Sequence, residues 1–348
     1  MPRRIVIAAA QVPFHTGGAE WHVEALRQQL AARGHAVEVV QVPFQWSPRE
    51  EAMRSALAWR LLDFTHAGGL PIDLVIGTRF PSYAARHPNK VVWLFHQFRQ
   101  AYDLHDAGVD GFPDTPEGRL MRQRFIEMDT RLLKECRRIF TTSTNNAGRL
   151  QRYNGLEASL LRLPLLEPDS YRCAPAEGFV LSVGRLDRLK RTDRLIRGAA
   201  AMKAEGNVLI VGEGPDRAEL EKLSESLGIA SRVRFFGRVS DATLKDLYAR
   251  STAVYYAPHD EDYGLVTLEA FQSGKPVLTT VDAGGPLEFV RDGETGVVAQ
   301  DDAASIGAAL DRLVSAAPAA REMGERARES VRGIRWDPVL DALTESIR

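Results

Sequence analysis

Two acidic side chains stand on either side of a tyrosine–glycine step in the segment HDEDYGLVTLEAF. Glu261 and Glu269 are eight positions apart, a spacing that fits one helix face only loosely, because such faces repeat at three, four and seven residues. The preceding AVYYAP predicts a strand that ends at Pro258, and Gly264 and Gly274 predict the two ends of a helix. The segment therefore predicts one acid in a loop and the other in the helix behind it.

Two basic side chains follow another predicted strand, in the segment VGRLDRLKR. Arg185 and Lys190 are five positions apart in a loop that opens a helix. Two cations beside a helix N-terminus can hold a diphosphate, the arginine through its fork and the lysine as a point charge. A solvated basic loop is the alternative, since Arg188, Arg191 and Arg194 crowd the same region. Both interpretations stay open at this point.

Glycine pairs mark two further loops. Gly17-Gly18, within HTGGAE, precedes a predicted helix and offers uncovered backbone N–H groups to an anion, although the pair taken alone favours a tight turn into a helix. Gly212-x-Gly214 lacks the third glycine of a dinucleotide fingerprint, and Pro215 at the start of a helix explains that turn without a ligand. The sequence therefore predicts no NAD site.

The acidic triplet Asp260-Glu-Asp262 matches the D-x-D pattern that holds divalent ions in some nucleotide-dependent enzymes. Three acids just before a helix also favour its dipole, and the sequence has no other acid or histidine cluster at ligand spacing, so no metal site is predicted.

His96 ends the apolar run VVWLFH, where a strand passes into a loop. A histidine there has either a structural or a functional role.

Length and composition indicate an ordinary globular protein. A chain of 348 residues predicts two domains, and a net charge of −1 with a pI near 6.7 argues against a nucleic-acid binder. The two cysteines form no disulfide framework. Residues 5–10 read as a first strand rather than a signal peptide, and no stretch approaches the ~20 apolar residues of a membrane span. We therefore expect a cytoplasmic protein.

Strands and helices alternate along the chain and must position these loops. The strand-like segments are near-continuous apolar runs, typical of parallel sheets that are buried on both faces. A proline-rich segment at 163–178 reads as a linker. Predicted strands lie at 5–10, 36–42, 73–77, 90–96 and 138–142 before it, and at 179–183, 208–212, 233–236, 253–257, 277–280 and 296–299 after it. Two doubly wound domains would carry their chemistry on loops that follow strands.

The segment 117–138 combines seven basic and four acidic residues with an apolar stripe. Such a helix could rest on anionic lipid. The alternative is a helix that covers the domain and keeps its charges in solvent.

Taken together, these motifs resemble the retaining GT-B glycosyltransferases of glycosyltransferase family 4. The resemblance spans nearly the whole chain in the family's order, and the combination is far more specific than any one motif. The matching segments are GGAE at 17–20, GRLDRLK at 184–190, the E-x7-E signature at 261–269, GGPLEFV at 284–290 and DGETG at 292–296.

What the resemblance implies can be carried over residue by residue. Arg185 and Lys190 would neutralise the donor diphosphate, with Gly17 and Gly18 closing on it from the other domain. Glu269 would accept hydrogen bonds from the nucleotide ribose. Breaking the sugar–phosphate bond leaves negative charge on the diphosphate, which the two cations would stabilise without a metal ion.

The resemblance also implies contacts to the sugar and the base. Val239 falls where relatives contact the nucleobase, and His96 matches a histidine that contacts the donor sugar. Glu261 would meet the sugar hydroxyls near the backbone N–H groups that follow it. The implied donor loop comprises Glu261, Tyr263, Gly264 and Leu265. The implied catalytic residues are Glu261, His96, Arg185 and Lys190.

The implied fold is α/β of the GT-B type, with two doubly wound Rossmann-like domains facing a central cleft. Residues 1–166 would form the acceptor-side domain, 167–334 the donor domain, and 335–348 a helix that crosses back to the first domain. The implied reaction is retaining transfer from a nucleotide sugar to an acceptor hydroxyl, forming an α-glycosidic bond with no metal and no cofactor.

Two alternatives remain: a non-catalytic sugar-nucleotide sensor and another GT-B enzyme such as a nucleotide-sugar epimerase. A sensor should have lost Arg185, Lys190 or Glu261, and an epimerase should show several carboxylates and histidines for proton abstraction. The expected partners are a UDP- or GDP-sugar donor and an unknown carbohydrate, lipid-linked or small-molecule acceptor, with no nucleic acid. Peripheral membrane contact through the first domain, at the inner face of the membrane, stays open.

Overall fold

The structure is a computed structural model that describes residues 2–14 and 17–347. His15 and Thr16, which open the HTGGAE motif, lie outside the described residues, as do the two terminal residues. The chain divides into two compact units. The first comprises Met1–Leu163 and Arg335–Arg348, and the second comprises Pro164–Ile334.

The first unit is built on a parallel sheet with the strand order β2-β1-β5-β6-β7-β8. Its central strands are buried on both faces, because helices cover both sides of the sheet. A short antiparallel hairpin, β3 with β4, lies outside this sheet. The strands are β1 Arg4–Gln11, β2 Ala36–Pro43, β3 His66–Ala67, β4 Leu70–Pro71, β5 Leu74–Gly77, β6 Lys90–Leu94, β7 Arg138–Thr141 and β8 Ser159–Leu160.

The helices of the first unit begin at recognisable caps. The Thr115 hydroxyl accepts a hydrogen bond from the Gly118 N–H at the start of α4, and Ser143 does the same for α5. Helix α5 ends at Gly155, which has the left-handed conformation, with a φ of 63°. The helices are α1 Gly18–Ala32, α2 Arg49–Leu61, α3 Asp103–Asp106, α4 Pro116–Lys134 and α5 Thr144–Asn154.

The second unit contains a parallel sheet with the order β11-β10-β9-β12-β13-β14. Numbered within the unit, this is 3-2-1-4-5-6, the order of the doubly wound dinucleotide-binding fold. The strands are β9 Phe179–Val183, β10 Asn207–Val211, β11 Val233–Gly237, β12 Ala253–Tyr255, β13 Val277–Thr280 and β14 Gly296–Ala299.

Helices cover the second sheet and pack closely on one another. A Cβ atom at Gly198 would lie 2.3 Å from Ile306 Cγ2, so the α6–α10 contact requires glycine there. The helices are α6 Thr192–Ala201, α7 Arg217–Ser226, α8 Asp241–Arg250, α9 Leu265–Gln272, α10 Ala303–Ser315 and α11 Ala317–Ser330.

The last helix, α12 Trp336–Thr344, packs on the first unit. The ring of Trp336 meets Trp93 edge-on, with 6.1 Å between centroids. The Arg33 guanidinium pairs with Asp337 and Asp341 at 2.7 and 2.8 Å.

The strand order tells where a ligand would bind in each unit. In a doubly wound sheet, ligands bind beyond the carboxyl ends of the strands at which the order reverses. In the second unit these are β9 and β12, and the loops that follow them carry Arg185, Lys190 and Glu261. In the first unit they are β1 and β5, followed by the loops of Gly17 and Arg79.

The predicted fold of two parallel-sheet Rossmann-like domains is confirmed. Among the described residues, no helix has the length and apolarity needed to cross a bilayer.

Candidate active site

Lys190, Tyr256 and Glu261 form a compact charged cluster at the carboxyl edge of the second sheet. The Lys190 ammonium forms an ion pair with Glu261 Oε2 and lies 3.4 Å from the Tyr256 hydroxyl oxygen. It also lies 5.6 Å from the centre of the Tyr256 ring, within the range of a cation–π interaction. The Tyr256 hydroxyl donates to Glu261 Oε2 at 3.0 Å. Each member of the cluster therefore contacts the other two.

The surroundings of this cluster fix its charge states. Burial alone would lower the pKa of Lys190, but the charge of Glu261, together with Tyr256 and the hydrogen bonds to both groups, raises that pKa well above its usual value. Burial, together with the Glu261 carboxylate, raises the pKa of Tyr256. Lys190 is therefore cationic and Tyr256 neutral at physiological pH, and the pair with Glu261 leaves the cluster without net charge.

Arg185 lies on the same loop but is more exposed. Its side chain is 55% exposed, and Asp187 Oδ2 lies 3.6 Å from its Nε. Its loop rests on the loop after β10, where a Cβ at Gly212 or Gly214 would lie only 1.9 or 2.1 Å from a carbonyl oxygen. The Gly212-x-Gly214 pair is thus explained by two loops in close contact, an explanation that the sequence did not reveal.

The main chain of the Glu261 loop is fixed by the loop that follows β13. The Glu261 N–H donates to Ala283 O at 2.8 Å, and the Gly285 N–H donates to Glu261 O at 2.7 Å. Asp260 has a φ of 44°, and Asp262 is buried. Within residues 2–14 and 17–347, no group of three or more acidic, histidine or cysteine side chains could hold a metal ion.

Gly264 starts helix α9 in a conformation that favours glycine. Its φ is 82°, and a Cβ there would lie 2.8 Å from Tyr256 Cε1. Tyr263 is buried with its ring edge-on to Phe289, and Leu265 is the first, half-buried residue of α9. The structure therefore places Glu261 before the helix and Glu269 inside it, as the spacing predicted.

Glu269 has different neighbours from Glu261. The hydroxyl of the buried Tyr248 donates to Glu269 Oε2 at 2.6 Å. Burial raises the pKa of Glu269, while the hydroxyl groups of Tyr248 and Tyr171 lower it in part. Glu269 is a carboxylate held by tyrosine hydroxyls, and such a carboxylate suits a neutral partner such as a ribose hydroxyl.

Val239 occupies the loop between β11 and α8. It lies two residues beyond Gly237, the last residue of β11, and is half-buried. The Ser240 hydroxyl caps α8 by accepting from the Thr243 N–H at 3.2 Å.

In the first unit, Gly17 and Gly18 form the start of α1, and a carboxylate already lies there. The Gly17 N–H donates to Glu20 Oε2 at 2.8 Å, and Glu20 Oε1 pairs with Arg79 at 2.5 Å. Arg79 follows β5, so the position predicted for an anion combines residues that follow both strands at which the sheet order reverses. The sequence indicated the glycines but not the Glu20–Arg79 pair, which depends on the adjacency of β1 and β5.

His96 lies two residues beyond β6 and is half-buried, and its Nδ1 is 2.9 Å from Gln97 O. A second histidine, which the sequence did not single out, lies nearby on α1. Burial, followed by the charges of His96 and Arg79, lowers the pKa of His22 to about 3. The described part of the first unit thus brings His22, His96 and Arg79 into one electrostatic neighbourhood.

The fold matches solved glycosyltransferase structures over nearly all of both chains, and the protein therefore has the GT-B fold. Against sucrose-phosphate synthase from Thermosynechococcus elongatus the TM-score is 0.78, with 19% identity over 99% of this chain and 98% of that chain. Against Anabaena HepE in complex with UDP and glucose it is 0.72, with 17% identity over 99% of each chain.

A family model matches the second unit, and two relatives match 63% and 50% of this chain. Residues 167–330 match the family model Glycosyl transferases group 1. The D-inositol 3-phosphate glycosyltransferase of Rhodococcus erythropolis is 31% identical over an alignment of 246 positions that covers 63% of this chain and 55% of that protein. The protein of the same name from Nocardia farcinica is 36% identical over 50% of this chain and 41% of its own length. The chain thus matches about half the length of these relatives.

Proposed function

We propose that this protein is a retaining glycosyltransferase that transfers a sugar from a nucleotide sugar to an acceptor hydroxyl, with formation of an α-glycosidic bond. The observation that carries the proposal is the Lys190–Tyr256–Glu261 cluster beside Arg185, at the point where the order of the second sheet reverses. The family match over residues 167–330 and the GT-B fold support it.

The charges of the cluster fit the bond that must break. When the bond between the anomeric carbon and the diphosphate oxygen breaks, its electron pair goes to the phosphate and the sugar becomes electron-poor. An ammonium has three N–H donors, so Lys190 can contact Tyr256 and Glu261 and still donate to a phosphate oxygen. Arg185, mostly exposed on the same loop, would add a second cation. Glu261 would stabilise the positive sugar.

The other donor contacts belong to the same proposal. Glu269 binds the ribose, Val239 lies beside the base, and the Tyr263–Gly264–Leu265 backbone lies along the sugar. For Gly17 and Gly18, at the start of α1, contact with the diphosphate stays a prediction of the resemblance, as does contact of His96 with the donor sugar. Two cations replace a divalent ion, so the reaction requires no metal.

The acceptor is the open part of the proposal. The name of the two relatives states D-inositol 3-phosphate as their acceptor. Because the matches span only about half of those proteins, D-inositol 3-phosphate is one candidate for an acceptor panel rather than an assignment.

The proposal is tested by donor hydrolysis, which needs no acceptor. Purified protein is incubated with UDP- and GDP-sugars, and the released nucleoside diphosphate is measured with and without excess EDTA. We expect release from at least one donor, unchanged by EDTA. No release from any donor contradicts the activity, and loss with EDTA followed by rescue with Mn²⁺ contradicts the metal independence.

Substitutions on one loop then test the roles of the residues. Lys190→Ala and Arg185→Ala should each lower kcat about 100-fold, as loss of one charge-stabilising group does in other enzymes. Arg188→Ala, an exposed arginine of the same loop, is the matched control and should stay within about twofold of the parent protein, as expected for a group with no part in the reaction. Near-normal turnover by Lys190→Ala would remove the diphosphate assignment.

A further inference from the structure

Arg191, next to Lys190 in the sequence, has a buried guanidinium group with partners on three loops. Only 8% of the residue is exposed. A guanidinium has five N–H donors in a rigid plane, and here they reach main-chain and side-chain oxygens alike. The partners are Ala257 O at 3.0 Å, Pro258 O at 2.7 Å, Thr280 Oγ1 at 3.0 Å, Asp282 Oδ1 and Oδ2 at 2.8 and 2.7 Å, and Asp301 Oδ2 at 3.2 Å.

The backbone of Arg191 has a conformation that residues with a Cβ atom disfavour. Its φ is 49° and its ψ is 41°, in the left-handed region, immediately before helix α6. Such a conformation persists when the surrounding structure over-determines it, and such residues cluster at functional sites. The hydrogen bonds of the side chain supply that constraint.

One of the three loops that Arg191 contacts carries Glu261, and the loop of Arg191 itself carries Lys190. Ala257 and Pro258 lead directly into Glu261. Asp282 leads into Ala283 and Gly285, which bond to the Glu261 main chain. The His259 N–H donates to Leu189 O at 2.8 Å, which ties the Glu261 loop to the residue before Lys190. Arg191 thus lies where the loops of Lys190 and Glu261 meet.

We propose that Arg191 is a positioning residue that fixes Lys190 and Glu261 relative to each other. It bonds neither of their side chains and acts through the main chain of both loops. The inference rests on the proposed function for its catalytic consequence, but its structural consequence can be measured without any activity.

Hydrogen exchange in the whole protein tests the structural part. In Arg191→Met, the N–H groups of Asp260, Glu261 and Gly285, which bond between the two loops, should exchange at least tenfold faster. The amides of β9 and β10 should keep their protection. Arg194→Met is the matched control, because Arg194 is 40% exposed and pairs with Asp301 at 3.2 Å without reaching the loop carbonyls. It should leave all three amides unchanged.

Two outcomes would overturn the inference. Unchanged exchange at the three amides in Arg191→Met would show that the loops hold without the guanidinium. A uniform increase over the second unit would show only a loss of stability. If Arg191→Met fails to fold, Arg191→Lys serves instead, since it keeps the positive charge beside Asp282 but lacks the fork that reaches the carbonyls.

Donor hydrolysis tests the catalytic part. Arg191→Met should lower kcat at least tenfold while changing the Kd for the nucleoside diphosphate less than threefold, because the ribose and base contacts remain. Arg191→Lys should have a kcat between those of Arg191→Met and the parent protein. The control Arg194→Met should have the kcat of the parent protein. An equal loss of kcat and affinity would contradict positioning. If the parent protein hydrolyses no donor, the proposed function fails, and hydrogen exchange still decides the role of Arg191.

Discussion

The two acids of the E-x7-E signature differ in the hydrogen-bond partners of their carboxylates. Glu261 Oε2 is bonded by an ammonium and by a phenol hydroxyl, whereas Glu269 Oε2 is bonded by the hydroxyl of Tyr248. Under the proposed function, Glu261 therefore shares the Lys190 ammonium with a donor phosphate, and Glu269 does not. The eight-residue spacing thus separates an acid that belongs to the charged cluster from an acid beside neutral donors.

This difference predicts opposite effects on nucleotide binding. Glu269→Ala should weaken the binding of a nucleoside diphosphate about 10- to 150-fold, since a hydrogen bond to a charged group contributes about 1.5–3 kcal/mol. Glu261→Ala should bind it at least as well as the parent protein, because Lys190 is released to the phosphate, while kcat falls. Calorimetric titration with UDP and GDP measures both. Equal losses of affinity in the two variants would mean that the acids act as one structural unit.

Sequence reasoning selected Lys190 and Glu261 separately but did not reveal that they form an ion pair over Tyr256. The pairing depends on β9 and β12 being neighbours in the sheet, although more than sixty residues separate Lys190 from Tyr256. For the same reason, the sequence did not distinguish Arg191 from the other arginines of its basic segment. A local pattern shows which groups can do chemistry, whereas the topology decides which of them meet.

At the scale of the elements, helix α4 has the apolar stripe that its sequence predicts, but it also buries an aspartate that the pattern does not indicate. Its buried residues include Phe125 and Leu132, as an amphipathic covering helix requires. They also include Asp129, which accepts hydrogen bonds from the hydroxyl groups of Tyr83 and Tyr102, both at 2.5 Å. Burial raises the pKa of Asp129 to about 6, although both hydrogen bonds lower it in part.

Asp129 should therefore make stability fall as the pH rises. Its folded pKa of about 6 lies above the ordinary value of 3.8. The folded state thus binds the proton more tightly, and this contribution to stability is complete below pH 4 and lost as the pH rises through 6. At about 1.4 kcal/mol per pH unit, the free energy of unfolding should lose about 2–3 kcal/mol from this group.

Urea unfolding of the parent protein and of Asp129→Asn at pH 4 and pH 6.5 measures this contribution. The asparagine mimics the protonated acid, so the difference in unfolding free energy between the two proteins should shift with pH by that amount. Glu127→Gln, an exposed change on the same helix, is the control and should follow the parent protein. A difference that is independent of pH would show that Asp129 is ionised throughout.

The order and type of the main helices and strands were predictable because the apolar runs are long and their ends are marked. The exact residues at which the helices and strands end were less predictable. The sequence pattern predicts a helix over 49–65, but α2 ends at Leu61. The Asp63 side chain accepts hydrogen bonds from the N–H and hydroxyl of Thr65 and favours a turn there. The hairpin β3–β4, with only two residues in each strand, has no period to detect.

At the scale of the whole molecule, two sheets of different strand order carry most of the predicted residues on loops that follow strands. Val239 follows the edge strand β11, and Glu269 lies inside α9. Arg185, Lys190 and Glu261 follow strands at the reversal of the strand order, and His96 follows a strand next to one. That arrangement follows from parallel winding and could be predicted from alternating strands and helices. The acceptor could not be predicted, because loops that bind different acceptors share no common pattern of residue types.

The stereochemistry of transfer is a property of the complete enzyme, because donor and acceptor are proposed to bind different domains. An inverting reaction needs a base that activates the acceptor from the face opposite the leaving group, and the obvious candidate is His96. Its Nδ1 lies 2.9 Å from Gln97 O. With a proton on Nδ1 donated to that carbonyl, Nε2 would be the nitrogen that can accept a proton.

The retaining proposal predicts that His96 positions the sugar instead of activating the acceptor. His96→Asn should then slow transfer from an α-linked nucleotide sugar about tenfold to a hundredfold, less than loss of an essential base, and the product should keep the α-linkage. With His96 as an inverting base, the same change would abolish transfer, and the parent enzyme would form a β-glycoside. The NMR coupling constant of the new anomeric proton distinguishes the two products, and a β-linked product from an α-donor would rule out retention.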